Sequence, residues 1–384
     1  MKAWPKVPLA AIAPIVRRAV DIKNDQAYPE MGIRSFGKGT FHKPPLAGAD
    51  AGTKRLFRIE TGDLVFSNVF AWEGAIAVAS PQDGGRFGSH RFITCVVDSL
   101  RASAAFLKFY LTASDEGLEQ IRRASPGGAG RNRTLGVKKL GHVQVPLPPL
   151  EEQQAIVARL DLLAEKTRQL EAHLDSVERD AEHLLALRYR NAIANVPLRT
   201  MAKIAPLVRR EQSINLNGSY PELGIRSFGK GTFHKPPLSG GDVGTKRLFS
   251  IEPGDLLFSN VFAWEGAIAI AQTEDAGRFG SHRFITCVPD QRLTSADFLR
   301  YYFLTDEGML KISEASPGGA GRNRTLGLEK LMAIEVPMPP LKTQQTFDRL
   351  QAEVAALKSK HTAIRAANAA LLPATLERIF QQAH

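Results

Sequence analysis

Four cationic side chains, Arg34, Lys38, His42 and Lys43, fall within ten residues, interrupted by Gly37 and Gly39. Glycines let a backbone approach a phosphate closely, and Lys and Arg displace its counterions. Ser35 and the nearby amides add neutral donors for phosphate oxygens. A second basic segment, Arg131-Asn132-Arg133-Thr134, follows the small residues of "SPGGAG". Its residue types suit base edges: Arg grips guanine at two acceptors, and Asn pairs with adenine at N6 and N7. Asn68, in a turn between strands, and Ser89, His90 and Arg91 in "FGSHRF" complete a candidate DNA-binding set. The whole set recurs downstream as Arg226, Ser227, Lys230, His234, Lys235, Asn260, Ser281, His282, Arg283, Arg322, Asn323 and Arg324. One such segment alone also fits an ordinary surface loop. Retention of all of them in both copies favours binding, although a recent duplication would leave the same record.

Catalytic chemistry has no comparable signature. "GGAGRNRT" lacks the Gly-Lys-Ser/Thr ending of a phosphate-binding loop, and no Gly-x-Ser-x-Gly, His-Glu-x-x-His or Cys-x-x-Cys occurs. An Asn-Pro-Pro-aromatic tetrapeptide, suited to a flipped adenine, is also missing. Asp63 and Glu73, with Asp255 and Glu265, read as turn or core partners. Phe36, Phe41, Phe87 and Phe92 read as core residues. The expectation is a chain that recognises a ligand and leaves reaction to other proteins, without a metal or cofactor of its own.

The elements that must position these residues come in two sets. Arg34 and Arg226, His90 and His282, and Cys95 and Cys287 are each 192 positions apart; by "SPGGAGRNRTLG" the offset is 191, so one residue is missing near Thr305. A period this long marks a duplicated domain. In each copy "RLFRIETGDLVFSNV", "GAIAVAS" and "HRFITCVV" read as strands. "SAAFLKFYLTASDEGLEQIRRA" reads as one helix capped by Ser103. "GIRSFGKGTFHKPPL", repeated without change at 32–46 and 224–238, shows neither period and reads as a basic loop.

After each copy the texture changes. "VPLPPLEEQQAIVARLD" starts a long helix at Pro149. Ile156, Leu160, Leu163, Thr167, Leu170, Leu174, Val177, Ala181 and Leu184 then step by fours and threes, the rhythm of a coiled-coil seam. Phe347, Leu350, Val354, Leu357, His361, Ile364, Asn368 and Leu371 do the same in the second copy. From Glu151 to Asn191 no Gly or Pro intervenes, so the helix should span on the order of 60 Å. Thr167, His361 and Asn368 suit either register pins or an exposed seam edge.

The predicted architecture is α+β: two similar mixed α/β domains, residues 1–148 and 196–339, joined by two long helices, 149–195 and 340–384, forming an antiparallel coiled coil. Charge follows the same division. Residues 5–149 hold 20 Lys+Arg against 12 Asp+Glu, whereas 150–196 hold 6 against 9. A total of +11 among 384 residues suits a polyanionic partner. No apolar run approaches a membrane span, and the start lacks a signal-peptide core, so a cytoplasmic protein is expected. Cys95 and Cys287, one in each copy, read as structural thiols in a reducing compartment.

At "VPLPPLEEQQAIVARLDLLAEKTRQLE" the chain resembles the specificity subunits of type I restriction–modification systems. The resemblance covers nearly the whole chain and includes "GDLLFSN" (254–260), "SPGGAGRNRT", "PLPPLEEQ" (146–153) and "LLPATLERIFQQ" (371–382). In the second copy Lys342 and Thr343 replace Glu151 and Glu152, which favours a helix-start role for Pro149, Gln153, Pro340 and Gln344. The resemblance implies two target-recognition domains, each reading half of a split site on double-stranded DNA. It further implies two methyltransferase subunits as partners and a motor endonuclease joining for cleavage, with the methyl donor held by those partners. Because the two heads match in nearly all polar loops, the expected target is an interrupted inverted repeat. A standalone DNA-binding or architectural protein, the recognition half of a split nuclease and a coiled-coil scaffold are the competing readings.

Overall fold

The structure, a computed structural model, describes residues 4–128, 133–318 and 324–381. The chain forms two compact units, one comprising Met1–Leu174 with His361–His384 and the other Asp175–Lys360.

In the first unit a five-stranded sheet has the order Ala19–Val20, Leu56–Arg58, Phe87–Ser89, Ala27–Ile33, Thr40–Ala47. A four-stranded sheet is ordered Ile15–Val16, Phe92–Cys95, Leu64–Ser67, Ile76–Val78. The strand expectations hold at 56–58, 64–67, 76–78 and 92–95. The repeated stretch, however, is a β-hairpin: Ile33 pairs with Thr40 and Ala27 with Ala47. Its lack of period has a physical cause. Thr40–Ala47 is an edge strand, where Pro44 and Pro45 need no ladder donors, and a bulge between Pro29 and Met31 breaks the alternation.

The expected single helix over 103–124 is two helices, Ala104–Ala113 and Asp115–Ala124. Ser114 separates them: its Oγ accepts from Gly117 N (3.0 Å) and donates to Tyr110 O (2.7 Å). A Cβ on Gly117 would lie 2.2 Å from the Tyr110 carbonyl oxygen, so only glycine permits this close turn. The missing residue of the second copy falls at the same junction, where Thr305 caps Gly308 N at 3.2 Å. The second unit repeats the five-stranded sheet, and three strands, Ile268–Ile270, Leu256–Ser259 and Phe284–Cys287, replace the four.

Two long helices, Leu150–Ile193 and Leu341–Gln381, pair in opposite senses. In the first unit Asn368 Nδ2 donates to Thr167 O (3.3 Å) and Glu171 Oε1 (2.9 Å), with Arg365 Nε 3.5 Å from Glu171. In the second unit Lys358 meets Glu182 at 2.5 Å. Asn368 and His361 are buried, so they belong to the seam and not to its exposed edge. The seam departs from expectation at its ends. Leu184, Ile364 and Leu371 are exposed, whereas Leu185 and Tyr189, and Leu372, Leu376 and Phe380, turn inward against the domain cores. Steps of four at 3.6 residues per turn rotate the apolar face steadily around the helix, and this rotation carries it from helix partner to domain core.

Each long helix is tied to the head that precedes it by a buried glutamine. Gln153 Oε1 accepts from Ser103 N (2.8 Å), and its Nε2 donates to Arg101 O (3.1 Å) and Pro148 O (2.8 Å). Gln344 repeats this with Ser295 N, Leu293 O and Pro339 O at 3.1, 3.0 and 2.8 Å. Gln153→Ala removes the partner of three backbone groups, one of them in a fully buried contact, and should lower stability by about 1–3 kcal/mol. The exposed neighbour Gln154 should tolerate alanine within about 0.5 kcal/mol. Denaturant titration of both variants measures the difference, and equal losses would remove Gln153 from this role.

Candidate nucleic-acid interface

The hairpin turn in the repeated stretch is tight. Phe36 and Gly37 have φ of 61° and 65°, and Lys38 N donates to Ser35 O at 3.4 Å. Two consecutive positive φ values are the sign pattern of a type I′ turn, where Asn, Asp and Gly fit best. A phenylalanine held there costs about 1–2 kcal/mol. What holds it is a second turn, Ala71–Gly74. Phe36 N donates to Glu73 O (2.8 Å), Gly37 N to Gly74 O (2.9 Å), and Ser35 Oγ to Glu73 Oε2 (3.1 Å). The second head reproduces these contacts at 2.8, 2.8 and 3.1 Å.

The same segment gathers the other candidates. Asn68 N donates to Arg91 O (2.7 Å), and Asn68 O accepts from Leu135 N (2.8 Å), so the 89–91 turn and the end of the Gly/Arg segment are stitched to one point. Asn260 does the same for Arg283 and Leu326, and its Nδ2 donates to Leu326 O at 3.0 Å. The Arg133 guanidinium stacks 5.1 Å from the Trp72 ring, as Arg324 does on Trp264 at 5.4 Å. Arg131, Asn132, Arg322 and Asn323 lie outside the described residues.

The candidate cations differ in how much of each side chain is already engaged. Lys38, Lys43, His90 and Arg91 are exposed, as are Lys230, His282 and Arg283, while Lys235 is half-buried. Arg34 lies over Phe41 (5.1 Å) and bonds the Thr40 carbonyl; Arg226 does likewise with Phe233 and Thr232. Each therefore braces its hairpin while leaving donors outward. Ser89 Oγ and Ser281 Oγ accept from Arg91 N and Arg283 N.

His42 and His234 are tied to buried carboxylates that the sequence reading missed. Asp83 accepts from His42 Nε2 (2.9 Å), Thr40 Oγ1 (2.9 Å), Ser80 N (2.9 Å) and Ser80 Oγ (2.8 Å). Asp275 receives His234 and Thr232, both at 2.9 Å. Asp83 and Asp275 are themselves 192 apart, and that spacing was the available signal. Phe36 overturns a further expectation. It is 72% exposed, and Phe228 is 74% exposed, because the turn points each ring away from the core.

Asp63 and Asp255 are structural, as expected, each held by a forked pair from Arg18 or Arg210 at 2.6 and 3.1 Å. Burial pushes the Cys95 and Cys287 thiols up to about 12. Among the described residues, no group of three or more His, Cys, Asp and Glu could hold a metal ion.

Residues 1–179 match the family model described as type I restriction modification DNA specificity domain, and the 192-residue repeat carries the same motifs through the second half. That match covers the first copy of the repeat. Two solved structures share its fold over nearly their entire length. One is the HsdS subunit from Thermoanaerobacter tengcongensis, with a TM-score of 0.66 and 19% identity, covering 100% of this chain and 97% of that one. The other is described as addressing complex assembly and conformational transition of the type I R-M system; its TM-score is 0.69 at 20% identity, covering 99% and 98%. The chain matches no curated protein sequence at a significant level. Among the described residues, no helix is long and apolar enough to cross a membrane.

Asp83 gives the candidate site a measurable pH signature. Burial raises its carboxyl, but the hydrogen bonds from Ser80, His42 and Thr40 outweigh that and hold it below the usual carboxylate range. A depressed folded-state value contributes stability above the ordinary carboxylate pKa, and this is lost as pH falls through the folded value. Asp83→Asn should cost about 1–3 kcal/mol near neutrality. The gap to wild type should shrink as the solution is acidified below about pH 4. Thermal melts across that range would expose a constant gap, which contradicts the assignment.

Proposed function

We propose that this chain is the non-catalytic DNA-recognition subunit of a type I restriction–modification complex and reads a split target whose halves are inverted repeats. In this reading residues 1–148 and 196–339 are the readers, and 149–195 and 340–384 set the gap between them. The observation that carries it is the identity of the two reading surfaces. Arg34, Lys38, Lys43, Asn68, His90, Arg91 and Arg133 have counterparts of the same type, on the same turns, with hydrogen bonds of nearly the same length. Identical readers carried on helices that pair in opposite senses call for a target with the matching symmetry.

Two methyltransferase subunits and endonuclease/motor subunits complete the proposed assembly. The methyl donor and the extruded base belong to the former. The chain's own work is then to neutralise phosphate through its lysines and to read base edges through Arg131 and Asn132 and their repeats. This accounts for a basic excess concentrated in the first head and an acidic first long helix.

Mapping methylated positions in the host genome should return a gapped motif with self-complementary halves. Unrelated halves would refute identical readout, and failure of a methyltransferase to copurify would favour a standalone DNA-binding protein. Lys43→Ala should weaken binding evenly across sequences and reduce the salt slope by about one. Arg131→Ala should cost about 1–3 kcal/mol at a single base pair and relax specificity there.

A further inference from the structure

We propose that Phe36 and Phe228 are wedges that press into duplex DNA at a base step, one in each head. This rests on the DNA-reading role proposed above and adds a contact that the cationic residues cannot supply. Three observations converge on it. First, each ring is almost three-quarters exposed. The neighbour over its face is an exposed lysine, Lys38 at 5.8 Å or Lys230 at 5.7 Å. Second, the backbone position is the wrong one for a phenylalanine. Both residues have φ of 61°, at a turn position where Asn or Gly would relieve strain and remove exposed apolar surface. The turn therefore retains an aromatic against the preference of the backbone.

Third, the wedge is rigidly mounted and set among cations. Backbone bonds to Glu73 and Gly74, and to Glu265 and Gly266, fix the turn on both sides of the ring. A Cβ on Gly74 would lie 3.5 Å from Phe36 Cα, so the supporting turn sits directly beneath. Arg34 and Lys38 flank Phe36 by two residues on either side, and the Glu73 carboxylate accepts from Ser35 Oγ at 3.1 Å. An apolar tip ringed by positive charge suits a partner with an anionic exterior and stacked, apolar faces within. Duplex DNA has both, and Phe inserted at a base step unstacks it and bends the helix.

The test uses the full chain, with any copurifying methyltransferase subunits, and a duplex enriched by the wild-type protein from a random-sequence pool. In the double variant Phe36→Asn, Phe228→Asn the turn should form as well or better, so the melting temperature should hold or rise. Affinity for the enriched duplex should nevertheless fall about ten- to a hundredfold, with the salt slope unchanged because no phosphate contact is lost. Phe36→Trp with Phe228→Trp should retain most of the affinity. With 2-aminopurine placed through each half-site, wild type should brighten one step per half, and the Asn variant none. Unchanged affinity overturns the proposal, as does weaker binding by the variant when wild type brightens no step. Unchanged affinity with lost methyltransferase copurification would reassign the rings to a protein contact. If wild type enriches no duplex at all, the DNA-reading role fails, and the wedge falls with it.

Discussion

A buried carboxamide determines how each head is held by its helix. Apolar burial supplies most of the energy there. Trp4, Phe106 and Tyr110 pack on Phe380 in one unit, while Phe298 and Tyr301 pack on Tyr189 and Phe347 in the other. Such burial is worth about 1.5–3 kcal/mol for each large side chain but is non-directional. Gln153 and Gln344 add what burial lacks. Each bonds simultaneously to the loop before the first helix of its head and to the proline segment that opens its long helix. Rotating either helix about its own axis would break all three of these bonds at once.

Within each head the Ala71–Gly74 segment, or Ala263–Gly266 in the repeat, plays the corresponding part for the candidate interface. Hairpin turn, the 89–91 turn and Arg133 come from three separate stretches of chain, yet all are bonded to or stacked on residues 68–74. Asp83 fastens the far side of the hairpin through Thr40 and His42. Such a surface is ordered before any ligand arrives, which reduces the conformational entropy lost on binding.

Much of this was legible from sequence because the chain says it twice. The duplication, the long helices and the role of Asp63 and Glu73 as internal partners follow from residue spacing and type. The hairpin at 27–47 was not legible: a bulge and an edge position remove the alternation that marks a strand, and paired prolines imitate a loop. The break at Ser114 was hidden because Phe106, Tyr110, Leu118 and Ile121 keep helical spacing across it; the Gly117 contact that forces the break is tertiary. The seam drifted at Leu184 and Leu371 because a heptad reading assumes a helix partner along the whole length, whereas the ends pack on domains. Exposure of Phe36 was missed for a similar reason. Hydrophobicity predicts burial on average, but a backbone turn decides where one particular ring points.

Differences between the heads show what fixes that turn. Beneath Gly229 the second head places Leu304 and Arg300, whose Nη2 donates to Gly229 O at 2.6 Å. The first head has Thr112 near Gly37, and Lys108 lies instead over Phe109 at 4.2 Å. The supporting helix is thus two residues shorter in one head and carries different side chains, yet Phe36 and Phe228 share the same φ and the same 2.8 Å bond to a glutamate carbonyl. The helix beneath cannot be what dictates the turn. Backbone-to-backbone bonding to the Ala71–Gly74 segment, and to Ala263–Gly266 in the repeat, is common to both heads and is sufficient to account for the shared geometry. Side chains on the supporting helix are free to vary as long as those two carbonyls stay in place.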